Sequence, residues 1–256
     1  NTAAKQMYES AKSKVYEFAE NNGLFRYGKR KVSEPVVQAA DLTQGPSIIY
    51  TDERGKRRHA EIPNIVLGSY QPPTGKDGKP VLNIEEALIP GDTGLYKRLK
   101  LVNNLKRLEY VKSLVEGQND GESAYIHKLA QYGIESTKGF LSSLRDPKKL
   151  SHMREYTPLH ETVHYLQDQL GLLRHNLHLG TKNIEGHCVK LAEAINSKYA
   201  VAKDHPYYQM GKNVIRRVGD VVSATLGLSR LDGELDGRIP EGAAAAVDLG
   251  NGLAPA

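Results

Sequence analysis

The stretch that decides the fold is "TPLHETVHYLQDQLG", residues 157–171, in which His160 and His164 stand four residues apart and Glu161 follows the first. Positions four apart in an α-helix lie on one face, about one turn along, so both imidazoles can bind one metal ion. Glu161 lies about 100° around the helix from His160, which is poor for a ligand but close enough to contact a water on that ion. The stretch therefore favours a catalytic metal helix over an amphipathic helix with solvated histidines.

The two residues before Leu159 predict where this helix starts. Thr157 is a residue type that caps helices, and Pro158 suits the first helical position, where its missing N–H costs nothing. The pattern predicts a helix over residues 157–173.

A catalytic zinc needs a third protein ligand and one open position. The metzincin arrangement would place Gly at 167 and His at 170, but the chain has Gln167 and Leu170 there. Downstream, "NIEGHCVKLAEAINSKY" offers Glu185, twenty-one residues after His164. That spacing suits a second, antiparallel helix that returns a carboxylate to the metal.

Other residues compete for the third position. Glu193 lies two helical turns beyond Glu185 on a similar face, where it is an alternative ligand or a residue that orients a histidine. His175 and His178 fall in a predicted loop, and His187 is expected to line the cleft. Residues 167 and 168 follow His164 within about a turn. Either could anchor the helix or support a ligand, and we favour anchoring.

The chain has one cysteine, Cys188, which excludes an intrachain disulfide. On the same count a zinc–cysteine site is taken to be excluded, and Cys188 is interpreted as a small buried residue.

These residues resemble a family. An HExxH motif followed about twenty residues later by a helical Glu is the gluzincin pattern, and "LHETVHYLQDQLG" followed by "IEGHCVKLAE" is similar to peptidases with an HExxHxLQDQ…EGxA signature. The resemblance covers residues 157 to about 195. It implies zinc bound by His160, His164 and Glu185, with Glu161 as the base that activates a zinc-bound water for peptide-bond hydrolysis.

The chain departs from that family at residues 187–189. His187 and Cys188 replace a small or acidic residue and an alanine, and Val189 stands where larger gluzincins have an acidic residue. The resemblance is therefore closer to small, minigluzincin-like members.

The family also implies two further features of the site. A Tyr or His downstream of the ligand Glu stabilises the oxyanion, and the candidates are Tyr199, His205, Tyr207 and Tyr208. An edge strand pairs with the extended substrate, for which "AEIPNIVLG", residues 60–68, is the candidate. The alternative for that run is a simple hairpin strand that covers the core.

The expected fold class is α+β and mostly helical: a zincin-like domain with a small sheet and an HExxH helix packed on a Glu-bearing helix. An apolar β-prone run, a turn and a second run predict a hairpin at about 46–68, with strands Ile48–Thr51 and Ile62–Leu67. Pro63 makes the second run an edge strand or a broken one. A single domain is expected over residues 1–230, followed by a loosely ordered tail at 231–256 that is rich in small residues. Helical periodicity predicts helices at 3–22, 94–116, 120–144, 157–173, 183–203 and 209–226.

The composition limits which classes of binding partner are expected. The 256 residues are 39% hydrophobic and carry a net charge of +5, which is typical of a folded protein. No apolar run is long enough to span a membrane, so no membrane-spanning segment is expected. The basic run at 96–112 is interpreted as a solvated helix face, so no binding of nucleic acid is expected. A protein or peptide substrate is expected. The chain begins at Asn1, which leaves both a cytoplasmic protein and one secreted after leader removal open.

Two classes of function stay open at this point. The first is a zinc metallopeptidase. The second is a non-peptidase zinc hydrolase, or a zinc-bearing binding or effector protein without proteolysis.

Overall fold

The computed structural model describes residues 2–25, 31–74, 78–118, 120–171, 173 and 180–195. The chain is α+β and mostly helical, with small sheets, as the sequence predicts. It divides into two compact units: a first unit of residues 1–4, 37–69 and 83–154, and a second unit of residues 5–36, 70–82 and 155–256.

Within the described residues, the elements follow one another along the chain as a helix, five short strands and then four helices. A short 3₁₀ turn, Glu86–Leu88, precedes the second helix. They are α1 (Thr2–Asn21), β1 (Val36–Ala40), β2 (Ser47–Thr51), β3 (Arg57–Glu61), β4 (Gly68–Gln71), β5 (Val81–Glu85), α2 (Asp92–Val115), α3 (Gly121–Arg145), α4 (Pro147–Gln169) and α5 (Gly180–Ile195).

The predicted hairpin is present in the first unit, but its second strand is not where the sequence placed it. Strands β2 and β3 pair antiparallel, with Ser47 opposite Glu61 and Thr51 opposite Arg57. Asp52 closes the turn because its carboxylate accepts the backbone N–H groups of residues 54 and 56. Of the two alternatives for residues 62–67, an edge strand and a broken strand, the second is confirmed: that run is irregular, since Pro63 has no N–H to give to a ladder.

A second, three-stranded sheet has the order β1–β5–β4 and was not predicted. Its outer strands, VVQAA and GSYQ, are only five and four residues long, so their sequences carry little strand signal. Inside the first unit, the Glu85 carboxylate accepts the backbone N–H of Leu42 at 2.7 Å and that of Ala87 at 3.1 Å.

The core of the second unit explains how α4 is held. Apolar side chains recur at helical spacing on α1, α4 and α5 and meet in one cluster. Because each helix contributes residues three or four apart, the cluster sets the rotation of α4 and α5 about their axes. Its buried members are Ala11, Val15, Ala19, Leu24, Leu159, Val163, Leu166, Cys188, Leu191 and Ala192.

Helix α4 begins ten residues before the predicted start. Asp146 caps it, accepting the N–H of Lys148 at 2.9 Å and of Lys149 at 3.2 Å, and Pro147 occupies the first helical position. Pro158 lies inside the helix, where Thr162 donates its hydroxyl to the Pro158 carbonyl at 2.6 Å. The prediction of a start at Thr157 is therefore wrong, because an equivalent cap-and-proline signal stands upstream.

The helices predicted at 3–22, 94–116 and 120–144 are present as α1, α2 and α3. The helix predicted at 183–203 corresponds to α5. The helix predicted at 209–226 and the tail at 231–256 lie outside the described residues. Among the described helices, none combines the length and apolar character needed to cross a bilayer.

Helices α2 and α3 of the first unit approach closely at Gly133. A Cβ built on Gly133 would lie 3.0 Å from Cδ1 of Leu108, whereas a Cβ on Gly139, farther along α3, meets no atom within 4 Å. Leu108 is fully buried in a cluster with Ala60, Val111 and Ile134. The small residue at 133 is therefore required by the packing.

These two glycines form a matched pair for a stability test. Gly139→Ala should stabilise the protein by up to about 1 kcal/mol because alanine favours the helix. Gly133→Ala gains the same helix propensity but overpacks the contact with Leu108, so it should fall about 1–3 kcal/mol below Gly139→Ala. Urea denaturation followed by circular dichroism measures both. Equal stabilisation by the two substitutions would refute the close approach.

Candidate metal centre

The centre of the site is one carboxylate between two imidazoles. Oε2 of Glu185 lies 3.1 Å from Nε2 of His160, and Oε1 lies 3.2 Å from Nε2 of His164. The two imidazoles lie one helical turn apart on α4, and their ring centroids are 4.9 Å apart. Glu185 comes from α5, so the site joins two helices of the second unit.

These three side chains fit the requirements of a zinc site. Neighbouring donors around tetrahedral zinc are about 3.4 Å apart, at metal–ligand distances of about 2.0–2.2 Å, and the nitrogen–oxygen distances here are close to that separation. Two imidazoles and a carboxylate are the donor set of several catalytic zinc sites. The Glu185 side chain is 32% exposed, whereas those of His160 and His164 are 15% and 9% exposed.

Gln167 orients one of the histidines. Its Oε1 lies 2.8 Å from Nδ1 of His164, and its Nε2 lies 2.7 Å from Nδ1 of His187 and 3.4 Å from the carbonyl oxygen of Ile184. The amide nitrogen donates to the last two groups, so the amide oxygen accepts the Nδ1–H of His164. Held this way, His164 directs Nε2 at Glu185, and the lone pair of Nε2 becomes available to a metal once its proton is released.

His187 completes this arrangement. It is buried, and burial together with the positive charge of His164 lowers the pKa of His187 to about 4. A neutral His187 offers the Nδ1 lone pair that the Gln167 amide needs. Of the two roles considered for residue 167, anchoring the helix and supporting a ligand, the contacts favour the second. Its position three residues after a ligand histidine was the available signal for this second role.

The Glu185 carboxylate and the two imidazoles shift one another's pKa. Burial raises the pKa of Glu185, but hydrogen bonds from His160 and His164 outweigh it and hold that pKa well below the usual range. Burial lowers the pKa of His160, whereas Cys188 and Glu185 raise it, to a net value of about 10. Both imidazoles must therefore release protons when a metal binds, and binding is coupled to proton release.

The charges of His160, His164 and Glu185 also act on the carboxyl group of Glu161. It is 6% exposed, and burial raises its pKa, while His160 and His164 partly offset that effect. A carboxylate with a raised pKa is a better proton acceptor near neutral pH than a solvated one. Glu161 thus has the environment of a general base.

Tyr156, one turn before His160, was not singled out from the sequence. Its ring centroid lies 5.8 Å from that of His160. Burial raises its pKa, and the charges of Cys188, Glu193, Glu185 and Glu161 add to the shift, so Tyr156 stays a protonated hydroxyl. The position of Tyr156 four residues before His160, on the same helix face, was the sequence signal for this contact.

The structure describes some of the alternatives to Glu185 and not others. The Oε2 atom of Glu193 is buried and, among the described residues, takes part in no hydrogen bond. The histidines at 175 and 178 lie outside the described residues, as do the candidate oxyanion stabilisers Tyr199, His205, Tyr207 and Tyr208. Asp168 anchors α4 as expected, accepting the Tyr70 hydroxyl at 2.8 Å.

The expected exclusion of cysteine from the site needs correction. Cys188 lies with His160 and His164 in one cluster whose ligand atoms are within 4.8 Å of one another. A lone cysteine rules out sites made of several cysteines, but it does not rule out one thiol among histidines. The i, i+3 spacing between residues 185 and 188 was the signal that the interpretation missed.

Comparisons with protein-family models, with curated proteins and with solved structures found no match to this chain.

The Gln167 contact predicts a loss of metal affinity on substitution. Gln167→Leu removes the group that orients His164 and should lower zinc affinity about 10–100-fold. Gln169→Leu, two residues along α4, is the matched control, because Gln169 is also buried but bonds the Tyr16 hydroxyl at 2.7 Å. Competition with a chromophoric chelator measures both affinities. Equal losses in the two variants would contradict an orienting role.

Proposed function

We propose that this protein is a zinc-dependent hydrolase of peptide bonds. His160, His164 and Glu185 hold the zinc, and Glu161 is the general base. The observation that carries the proposal is the Glu185 carboxylate, which contacts Nε2 of both histidines on the helix that also bears Glu161.

The three ligand side chains have distinct tasks. The imidazoles supply neutral donors fixed one turn apart by α4, and Gln167 orients the second of them. Glu185 supplies a negative charge, which offsets part of the charge of a divalent ion. When bound, zinc would polarise the substrate carbonyl and make a water more acidic.

Glu161 carries the proton. It accepts a proton from the attacking water and later donates it to the leaving amine nitrogen. Its burial supports this role, because a desolvated carboxylate holds a proton more tightly than a solvated one. Its place directly after His160 keeps it on the same helical turn as the metal site.

Two substitutions separate metal binding from proton transfer. Glu161→Gln keeps the size of the side chain but loses the proton acceptor, so it should bind zinc nearly as well as the native protein. Its hydrolysis should fall by about 10²–10⁴-fold. Glu185→Ala removes a ligand, so it should lower both zinc affinity and the thermal gain in stability on adding zinc.

The readouts are zinc content after dialysis, the melting temperature with and without zinc, and digestion of an unbiased peptide library. If Glu161→Gln lost its zinc while Glu185→Ala kept zinc and activity, the assignment of ligand and base would be wrong. If the native protein bound zinc but cleaved no peptide, the result would favour a non-peptidase zinc hydrolase or a zinc-bearing binding protein.

A further inference from the structure

The thiol of Cys188 belongs to the same donor cluster as the two histidines. The ligand atoms of His160, His164 and Cys188 lie within 4.8 Å of one another. Cys188 is fully buried, and its Sγ donates to the backbone carbonyl oxygen of His160 at 3.2 Å. The thiol is therefore held against the turn of α4 that carries the first ligand.

The geometry of α5 explains why two donors face α4. Cys188 follows Glu185 by three residues, and positions three apart share one face of a helix. Leu191 and Ala192 pack in the core of the second unit, which fixes the rotation of α5. Helix α5 thus presents a carboxylate and a thiol, one turn apart, to the two imidazoles of α4.

Four donors of this kind make a complete zinc shell. Structural zinc sites use four protein ligands, whereas catalytic sites use three and keep one position open. Two nitrogens, one carboxylate oxygen and one sulfur are all accepted zinc ligands. A fourth protein donor at a hydrolytic site would therefore close the position that the reaction needs.

We propose that Cys188 is a fourth ligand of the metal held by His160, His164 and Glu185, and that it keeps the site in a closed resting state. This inference rests on the proposed function, since it concerns the same ion. When the metal–sulfur bond forms, the thiol proton passes to solvent and a water leaves the metal. When the bond breaks, a water takes the vacated position and the sulfur regains a proton.

The test is the absorption spectrum of the full-length chain loaded with Co²⁺. A thiolate bound to Co²⁺ gives strong near-ultraviolet charge-transfer absorption that imidazole and carboxylate ligands do not give. The chain has a single cysteine, so such a band can come only from Cys188. We expect the band in the native protein and its complete loss in Cys188→Ala and Cys188→Ser, with the visible cobalt bands retained.

Val189→Ala is the matched control for packing. Val189 is the next residue on α5 and is also buried, but it has no donor atom, so this variant should keep the near-ultraviolet band. The spectrum of the native protein is decisive even if both Cys188 variants fail to fold.

The outcomes distinguish this inference from the proposed function. Visible cobalt bands without the near-ultraviolet band in the native protein would overturn the role of Cys188 and leave the three-ligand site standing. No Co²⁺ binding at all would overturn both.

At equal zinc occupancy, Cys188→Ala should hydrolyse peptides faster than the native protein and Val189→Ala should not. An unchanged or lower rate in Cys188→Ala would overturn the closed resting state.

Discussion

The site depends on the carboxylate of Glu185, because it lies between two basic rings. Without that negative charge, the imidazoles of His160 and His164 would face each other in a buried setting, where two positive charges repel strongly. With it, the cluster of opposite charges ties α4 to α5 at one point. The same arrangement places donors for a metal ion at suitable separations, so one contact serves both the packing and the site.

This contact requires that α4 and α5 keep a fixed register. The apolar cluster of the second unit supplies it, since Leu159 and Val163 on α4 and Leu191 on α5 pack together there. Polar contacts also fix this register. Gln167 hydrogen-bonds His164 and His187, and its amide nitrogen donates to a backbone carbonyl of α5. Apolar packing therefore sets the rotation of the helices, and one buried amide sets the rotation of an imidazole.

The closeness of the two imidazoles was predictable from the sequence because helical spacing puts residues 160 and 164 on one face whatever the rest of the fold does. The pairing with Glu185 was a weaker prediction, since a separation of twenty-one residues is compatible with many connections. It gains support from the structure because both imidazoles contact that carboxylate. The HExxH…Glu resemblance rests on about forty residues, and its functional content stays a proposal.

The errors have physical reasons. The start of α4 was misplaced because Asp146–Pro147 and Thr157–Pro158 carry the same signal, and local chemistry does not decide which one the chain uses. The three-stranded sheet was missed because short strands are defined by their partners more than by their own residues. Cys188 was set aside because a chain with one cysteine cannot build a metal site from several cysteines. The residues that share its side of the helix were the better guide.

The most direct test of the account is X-ray absorption at the zinc edge of the zinc-loaded chain. The account predicts a four-coordinate zinc with two imidazole ligands and a carboxylate oxygen, and with nitrogen and oxygen distances of about 2.0–2.2 Å. A zinc with six oxygen ligands and no imidazole scattering would contradict it.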